Sequence, residues 1–209
     1  MERTKFPYIT IMGPVGVGKT TVARILGKAL GFKIFEERFE NNPFLADSYD
    51  DMDRWSFHSQ VFFLVQKANQ MKKINPLLTK KGVIHEPPIF QDALVFAKAR
   101  LKGREWQLYQ MVYQNLIEDL PVPDLIIYLR VGLDKLLLRI SSRARGYELN
   151  VSKSYWQKLI DNGEALIKKT KIPILTIDAN KVNYVKRKSD KDFLVSETRK
   201  WLKKIKGKS

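Results

Sequence analysis

The sequence predicts an α/β fold in three layers, with a central parallel five-stranded sheet and helices on both faces. Two observations carry this prediction. Short apolar runs alternate with longer segments of helical periodicity, as in a doubly wound parallel sheet. One run, 124–130, is almost continuously apolar, which is typical of a strand covered on both faces. A length of 209 residues suits one domain, 1–209, with a sizeable core.

The first half of the chain alternates strand and helix. A strand over 8–12 leads through a glycine-rich turn into a helix over 19–30, which Gly31 ends. A short strand over 33–35 ends in acidic residues, and Asn42-Pro43 is typical of a helix start, here a short one through residue 46. Asp51 or Asp53 caps a long helix reaching about residue 73. Its apolar residues exceed one buried stripe, so we expect it to pack on more than one side.

The second half continues the alternation. A strand over 82–86 ends in Glu86, and Pro87-Pro88 cannot extend a sheet ladder. Helices follow over 91–101 and 105–120, then the central strand, a helix over 133–140, an arginine-rich connector over about 141–149, a helix over 153–169 and a strand over 173–177. A basic helix over about 190–206 closes the chain. In such sheets ligands bind beyond the carboxyl ends of the strands, so polar residues there are candidate site residues.

Residues 13–20 match the pattern GxxxxGK[ST] between the first strand and the first helix. Gly13 and Gly18 permit a tight turn whose backbone N–H groups converge on nucleotide phosphates. Lys19 is expected to reach the β- and γ-phosphates, and Thr20 to offer its hydroxyl to Mg²⁺. The candidate nucleotide-binding residues are Gly13, Pro14, Val15, Gly16, Val17, Gly18, Lys19, Thr20 and Thr21. The loop predicts a nucleoside triphosphate such as ATP and leaves its use open.

Charged residues near the predicted strand ends are candidates for phosphoryl transfer. The acceptor must lose a proton beside the phosphate loop, and Glu36 and Glu37 follow the second strand. Glu86 ends the third strand, where an acid can orient Mg²⁺, and is predicted as a metal residue together with Thr20. Three arginines predict a phosphate clamp. They are Arg139, Arg143 and Arg145. For each group a solvated surface position is the alternative.

Composition narrows the class of protein. The formal net charge is +16, but residues 179–209 carry eleven Lys/Arg and three Asp/Glu, 11 − 3 = +8, so half of it lies in the basic tail. Nucleic acid is therefore a possible partner and not the favoured one. The absence of cysteine excludes disulfides and thiolate metal sites and agrees with a reducing compartment. With no secretory pattern at the start and no run of 18 apolar residues, we expect a cytoplasmic protein without a membrane partner.

Several ordered motifs together resemble the deoxyribonucleoside kinase family, which includes deoxyadenosine, deoxyguanosine and deoxycytidine kinases. The resemblance spans nearly the whole chain. Beyond the phosphate loop it rests on Glu37 ahead of Glu40-Asn41-Asn42-Pro43-Phe44-Leu45, on Arg54-Trp55-Ser56-Phe57 with Gln60, on Asp92 with Val95-Phe96-Ala97, and on Arg143-Ala144-Arg145 ending at Glu148. It implies a three-layer P-loop kinase fold with an arginine-rich lid, ATP and Mg²⁺ as cofactors, and a homodimer.

The resemblance also implies roles for individual residues. Glu37, preferred over Glu36, would be the general base for the 5′-hydroxyl of a deoxynucleoside, and Gln60 would pair with the nucleobase edge. Tyr49 and Glu148 would hold the sugar 3′-hydroxyl. Further residues complete the implied acceptor site: Trp55, Phe62 and Phe90 at the faces of the base, and Asp92 at its exocyclic group. Asp92 beside Gln60 favours deoxyadenosine, followed by deoxycytidine or deoxyguanosine.

One departure from the family pattern affects the mechanism. The family usually has Asp/Glu-Arg-Ser after the third strand, and this chain has Glu86-Pro87-Pro88, which removes an arginine beside the catalytic carboxylate. Three consequences are open: another cation, Arg38 or Lys67, replaces that charge, or activity is low, or the substrate differs from the usual one. Two other functions stay open on the sequence: a nucleotide-binding protein with little or no kinase turnover, which contacts nucleic acid through its basic surface, and a nucleoside monophosphate kinase, which shares the loop and the arginine lid.

Overall fold

The computed structural model describes residues 6–206, so the first five and last three residues lie outside the described part of the chain. One sheet of five strands has the order β2-β3-β1-β4-β5, and all of its pairs are parallel. The strands are β1 Tyr8–Met12, β2 Lys33–Glu36, β3 Val83–Glu86, β4 Leu125–Arg130 and β5 Ile174–Asp178. The predicted parallel five-stranded sheet is confirmed.

Helices connect successive strands and cover the sheet. The α-helices are α1 Lys19–Leu30, α2 Asp47–Asp50, α3 Met52–Met71, α4 Ile89–Gln91, α5 Lys98–Arg100, α6 Gly103–Ile117, α7 Leu133–Arg143, α8 Gly146–Leu149, α9 Lys153–Lys169 and α10 Lys188–Lys206. Consecutive residues of a strand point to opposite faces. Val83 and Ile84 accordingly belong to two different buried apolar clusters. The sheet therefore has a packed core on each face, as its apolar strands predict.

The segment after β2 differs from the prediction. The short helix expected through residue 46 is absent there; instead a 3₁₀ turn covers Phe39–Asn41 and α2 begins at Asp47. The Asn42 side-chain oxygen accepts a hydrogen bond from the Phe44 backbone N–H at 3.0 Å. Asn42 thus closes a local turn on its own backbone, which short polar side chains do as readily as they cap helices.

Two other helices have unexpected boundaries. The predicted helix over 91–101 is a composite in which the π-helical turn Asp92–Ala97 separates α4 from α5. The predicted connector over 141–149 is partly helical, because α7 runs on to Arg143 and α8 follows directly. Ala144 takes a left-handed conformation between them, with φ 52°. This break separates Arg143 from Arg145 and turns the chain toward α8.

Strand register brings the site together. Glu36 and Glu86 are paired residues at the carboxyl ends of β2 and β3, and β1, which leads into the phosphate loop, lies directly beside β3. The acidic strand ends and the loop therefore meet at one edge of the sheet, as the fold class requires. Within residues 6–206 the helices are too short or too polar for any of them to traverse a lipid bilayer.

Candidate active site

Backbone geometry shapes the loop between β1 and α1 for close packing and a tight turn. Gly13 has φ 152°, and a Cβ atom there would lie 2.8 Å from the Leu129 carbonyl oxygen and 2.9 Å from Val17 Cγ1. Gly18, with φ 106°, is the N-cap of α1. A left-handed conformation without a side chain is a glycine property. The loop therefore delivers its N–H groups to the N-terminus of a helix, where anions bind.

Lys19, Thr20 and Glu86 line one cleft with the loop. Lys19 Nζ donates to the carbonyl oxygens of Gly13 and Pro14, each at 3.0 Å. Burial lowers the pKa of Lys19, and the nearby Glu86 carboxylate opposes this. The Thr20 hydroxyl donates to Glu86 Oε1 at 2.8 Å. A hydroxyl and a carboxylate oxygen this close fit Mg²⁺, which takes oxygen ligands and keeps most of its waters.

The side chain of Gln91 holds the loop from the other side. Its Oε1 accepts a hydrogen bond from the Gly13 N–H and its Nε2 donates to the Gly13 carbonyl, both at 2.9 Å. Gln91 ends α4 immediately before the π-helical turn and is almost fully buried. Sequence reasoning missed this residue, because a glutamine near a helix start carries no motif.

A second cavity lies next to the phosphate cleft and has an empty volume of about 540 Å³, including its open mouth. It is lined by Val15, Glu37, Phe39, Leu45, Tyr49, Gln60, Phe63, Asp92, Phe96, Arg100, Arg145, Tyr147 and Glu148. The structure thus brings together five of the residues predicted for the acceptor: Glu37, Tyr49, Gln60, Asp92 and Glu148. Polar groups alternate with aromatic side chains around the cavity.

Glu37 lines both the phosphate cleft and the second cavity. Its neighbour Glu36 lines the phosphate cleft but not the second cavity. Both of its carboxylate oxygens accept hydrogen bonds from Arg24 at 2.7 Å, and this hydrogen bonding lowers the pKa of Glu36. The two adjacent glutamates therefore have separate surroundings. Of these two glutamates, only Glu37 lines both cavities.

Lys67, from the long helix α3, is buried against Glu37 and Asp92. Its ammonium group is 2.8 Å from Glu37 Oε1 and 3.1 Å from Asp92 Oδ2, and it also donates to the Pro87 carbonyl at 3.1 Å. The side chain is 1% exposed. Burial raises the pKa of Asp92, and the positive charge of Lys67 opposes the rise. Of the two cations expected to replace the missing arginine, Lys67 contacts Glu37, whereas Arg38 is exposed.

Glu148 and two lid arginines meet at the far end of the cavity. Glu148 is 2% exposed; Arg143 donates to its Oε2, and Arg145 NH1 lies 3.7 Å from its Oε1. Tyr49 stacks on Tyr147, from the same short helix α8, with ring centroids 5.3 Å apart. Residues predicted for the sugar and for the phosphates are therefore in direct contact in this state.

Three predicted site residues have other surroundings. Arg139 lines the phosphate cleft, but its guanidinium donates to the carbonyl oxygens of Val17 at 2.5 Å and Ala179 at 2.7 Å, so it braces the loop against the segment after β5. Trp55 stacks on Phe44, and Phe90 packs against both apolar cores; neither lines the acceptor cavity. Phe63 and Phe96 supply its aromatic walls instead.

A third cavity opens on the other side of the phosphate loop. Its walls combine Gly16 and Gly18 of the loop, Arg139 and Leu138 of α7, and the segment over 179–187 that follows β5. Asn183 fixes this segment, because its side-chain oxygen accepts the N–H groups of Val185 and Lys186 at 3.2 and 3.0 Å. Sequence reasoning missed this cavity because the segment matches no nucleotide-binding pattern.

Comparison with known proteins gives consistent results. Residues 9–203 match the family described as deoxynucleoside kinase. A deoxyguanosine kinase of Bacillus subtilis is 36% identical over 88% of this chain and 92% of its own length, and a deoxyadenosine/deoxycytidine kinase of the same organism is 38% identical over 74% of each chain. A solved structure of deoxyadenosine kinase from M. mycoides, with dCMP and dCDP bound, superposes with a TM-score of 0.81 at 28% identity, covering 92% of this chain and 99% of that one. A structure of that kinase with dATP bound gives 0.80.

Proposed function

Because the chain belongs to the deoxynucleoside kinase family, we propose that it transfers the γ-phosphate of ATP to the 5′-hydroxyl of a deoxynucleoside. The observation that carries this assignment is the position of Glu37 on the boundary between the phosphate cleft and the acceptor cavity. A carboxylate there can accept the hydroxyl proton on one side while the phosphoryl group arrives from the other. The donor and acceptor sites are thus joined at the group that the reaction needs.

Each residue of the site has a separate proposed role in this reaction. The loop N–H groups and Lys19 bind the phosphates, Glu37 accepts the proton of the 5′-hydroxyl, and Arg143 and Arg145 carry positive charge to the transferred group. Thr20 and Glu86 would hold Mg²⁺, which neutralises phosphate charge when bound. Tyr49 and Glu148 are proposed to hold the sugar 3′-hydroxyl. The ribose and base of ATP are assigned to the third cavity, which continues from the loop past Arg139.

Lys67 is proposed as the cation that holds Glu37 in this chain. Without an arginine after β3, the Lys67 ammonium at 2.8 Å is the group that fixes the carboxylate. Lysine is a point charge and gives no bidentate fork, so it restrains one oxygen and leaves the other free for the acceptor. Contact with the Pro87 carbonyl at 3.1 Å anchors the ammonium to the same strand end that lacks the arginine.

Deoxyadenosine is the proposed first substrate, followed by deoxycytidine or deoxyguanosine. Gln60 and Asp92 line the cavity together; an amide offers a donor and an acceptor, and a carboxylate accepts from an amino group. A panel of the four deoxynucleosides with Mg-ATP tests this preference. Thymidine turning over fastest would contradict it, and phosphorylation of a monophosphate instead of any nucleoside would show a nucleoside monophosphate kinase.

The assignment is tested by replacing the proposed base. We expect Glu37→Gln to lower kcat by about 10²–10⁴-fold, the usual contribution of a positioned base, while deoxynucleoside affinity changes little. The matched control is Glu36→Gln, which removes the other candidate carboxylate; Glu36 is bound to Arg24 and lines the phosphate cleft but not the acceptor cavity, so turnover should stay near the wild-type rate. Formation of nucleoside monophosphate is the measurement. Turnover by Glu37→Gln at the rate of the wild type would refute the role of Glu37.

We also propose that the protein acts as a homodimer in the cytoplasm. Three large apolar side chains remain exposed on the contacting helices α3 and α6: Val65 at 43%, Leu108 at 49% and Met111 at 65%. Grouped apolar exposure of this kind is typical of a surface that another molecule covers. The lack of cysteine agrees with a reducing compartment.

A further inference from the structure

Arg100 is a cation of the acceptor cavity to which the reaction described above gives no task. It ends α5 and lines the cavity together with Tyr49 and Glu148. Among residues 6–206 no carboxylate lies within 4.0 Å of its guanidinium. A largely buried charge without a counter-ion is costly, so its surroundings must compensate by hydrogen bonds and aromatic faces.

Three residues from two elements, α2 and α9, provide that compensation. Nε donates to the Tyr155 hydroxyl of α9 at 2.6 Å, and NH1 donates to Ser48 Oγ of α2 at 3.0 Å. The guanidinium carbon lies 4.4 Å from the centre of the Tyr49 ring and 5.2 Å from that of Tyr155. A planar guanidinium can donate in its plane and stack on a ring at once. Arg100 therefore ties α2 to α9 through the cavity wall.

From this geometry we infer that Arg100 is a positioning residue that fixes the Tyr49 hydroxyl for recognition of the sugar 3′-hydroxyl. The inference rests on the proposed function for the role of Tyr49. It adds a residue that the reaction itself does not touch, and it predicts that the residue acts on the sugar and not on the phosphoryl donor.

Tyr49 needs such support because its own element is weak. Helix α2 has four residues, far fewer than a helix needs to be stable by itself. Apart from Arg100, the ring packs on Tyr147 of the lid and, at 6.5 Å, on Trp156. Burial raises the pKa of Tyr49, and the charge of Arg100 opposes this rise. The phenol therefore keeps its proton and can donate a hydrogen bond. Arg100 therefore contacts the Tyr49 ring directly and also holds the residue before it, Ser48, by a hydrogen bond.

The test compares the affinity for two nucleosides that differ only at the 3′ position, 2′-deoxyadenosine and 2′,3′-dideoxyadenosine. For Arg100→Leu we expect the Kd of 2′-deoxyadenosine to rise about tenfold, about 1.4 kcal/mol, and the Kd of the dideoxy compound to change less than twofold. The Kd of ATP should not change. Lys98→Leu, which removes an exposed cation from the same helix α5, is the matched control and should bind both nucleosides normally.

A double-mutant cycle separates action through Tyr49 from independent action. In a Tyr49→Phe background, Arg100→Leu should add less than a twofold further loss. Equal losses for both nucleosides, or full additivity with Tyr49→Phe, would overturn the inference. If Arg100→Leu does not fold, Tyr155→Phe removes only the Nε partner and should weaken 2′-deoxyadenosine about threefold, again with the dideoxy compound unaffected. Calorimetric binding is independent of turnover, so a failure of the kinase assignment remains distinguishable.

Discussion

At the scale of single residues, buried charges dominate this protein. Lys67 compensates two carboxylates at once, Glu37 at 2.8 Å and Asp92 at 3.1 Å. The three groups form a unit of one ammonium and two carboxyl groups, in which the Lys67 side chain is shielded from water. Removing one member changes the others, because a buried charge that loses its partner keeps its full desolvation cost.

We expect Lys67→Met to lower the free energy of unfolding by about 3 kcal/mol, near the lower end for a broken buried ion pair. The loss stays near that end because Asp92, whose pKa burial already raises, can take up a proton when its cation is gone. Urea unfolding is the measurement. Asp92→Asn in the Lys67→Met background should restore part of the stability, and equal stability of Lys67→Met and wild type would contradict the unit described here.

His85 makes stability depend on pH in the acid range. It is fully buried between the Tyr8 hydroxyl at 3.0 Å and Gln70 Oε1 at 3.2 Å, and burial places its pKa well below the usual range. As pH falls, His85 is therefore protonated at a higher pH in the unfolded chain than in the folded one. Proton binding to the unfolded state lowers the free energy of unfolding, by about 1 kcal/mol between pH 6.5 and 5.5. His85→Gln should flatten that part of the profile, whereas His58→Gln, on an exposed side chain, should leave it unchanged.

At the scale of elements, the composite helix of α4, the π-helical turn and α5 connects the two halves of the site. Gln91 ends α4 and holds Gly13, Asp92 begins the turn, and Arg100 ends α5. An extra residue within a helical turn shifts the facing of everything after it. Side chains of one composite helix thereby reach the phosphate loop and the ends of the cavity that are proposed to hold the nucleobase and the sugar.

Because Gln91 holds Gly13 of the phosphate loop, we predict that it affects the binding of ATP and not the binding of the deoxynucleoside. Gln91→Met leaves the Gly13 N–H without its side-chain acceptor, at a cost of about 1–3 kcal/mol for a buried backbone group, while the Gly13 carbonyl keeps its hydrogen bond from Lys19. We expect the KM for ATP to rise about tenfold and the KM for deoxynucleoside to stay within twofold in steady-state kinetics. Gln157→Met, which removes a surface pair with Asp161, is the control. A rise in both KM values alike would argue against a donor-side role.

The accuracy of sequence-based prediction also varied by element. All five strands and the long helices follow from apolar periodicity, because the pattern directly reflects burial. The helix expected through residue 46 was wrong because Asn42 bonds its own backbone, and the π-helical turn leaves no mark in apolar spacing. Trp55 and Phe90 were expected at the base, yet pack elsewhere, since an aromatic residue fits a core as well as a cavity. Gln91 and Arg100 depend on long-range contacts that spacing cannot indicate.

At the scale of the whole molecule, charge and apolar surface are separated. Half of the net positive charge lies in residues 179–209, whereas the exposed apolar side chains proposed for the dimer lie on α3 and α6. Helix α10 packs on one of the two apolar clusters, whereas α3 and α6 pack mainly on the other, so the proposed interface lies away from the described part of the basic C-terminal region. Two copies can then approach through α3 and α6 without bringing their α10 helices directly together.

We expect Leu108→Glu with Met111→Glu to convert the dimer to a monomer, because charges in an apolar interface remain desolvated without partners. Sedimentation equilibrium at micromolar concentration measures this. Phe193→Glu, at an apolar residue of α10 that is 52% exposed, is the control and should remain dimeric. A wild-type protein that is already monomeric under these conditions would refute the proposed dimer.

The pairing of Glu148 with Arg143 and Arg145 has a thermodynamic consequence for lid closure. The lid arginines are not free cations, since a carboxylate of the acceptor cavity already pairs with both and offsets one of their two positive charges. If the arginines turn toward a phosphate, they exchange the Glu148 carboxylate for the phosphate as their partner. The number of ion pairs then stays nearly the same. The free energy of the exchange then depends on how much more strongly the arginines bind phosphate than the Glu148 carboxylate. It should depend less on ionic strength than the binding of phosphate by unpaired, solvated arginines would. In the proposed reaction, an empty acceptor site would also leave the arginines on Glu148, which would oppose transfer of the phosphoryl group to water.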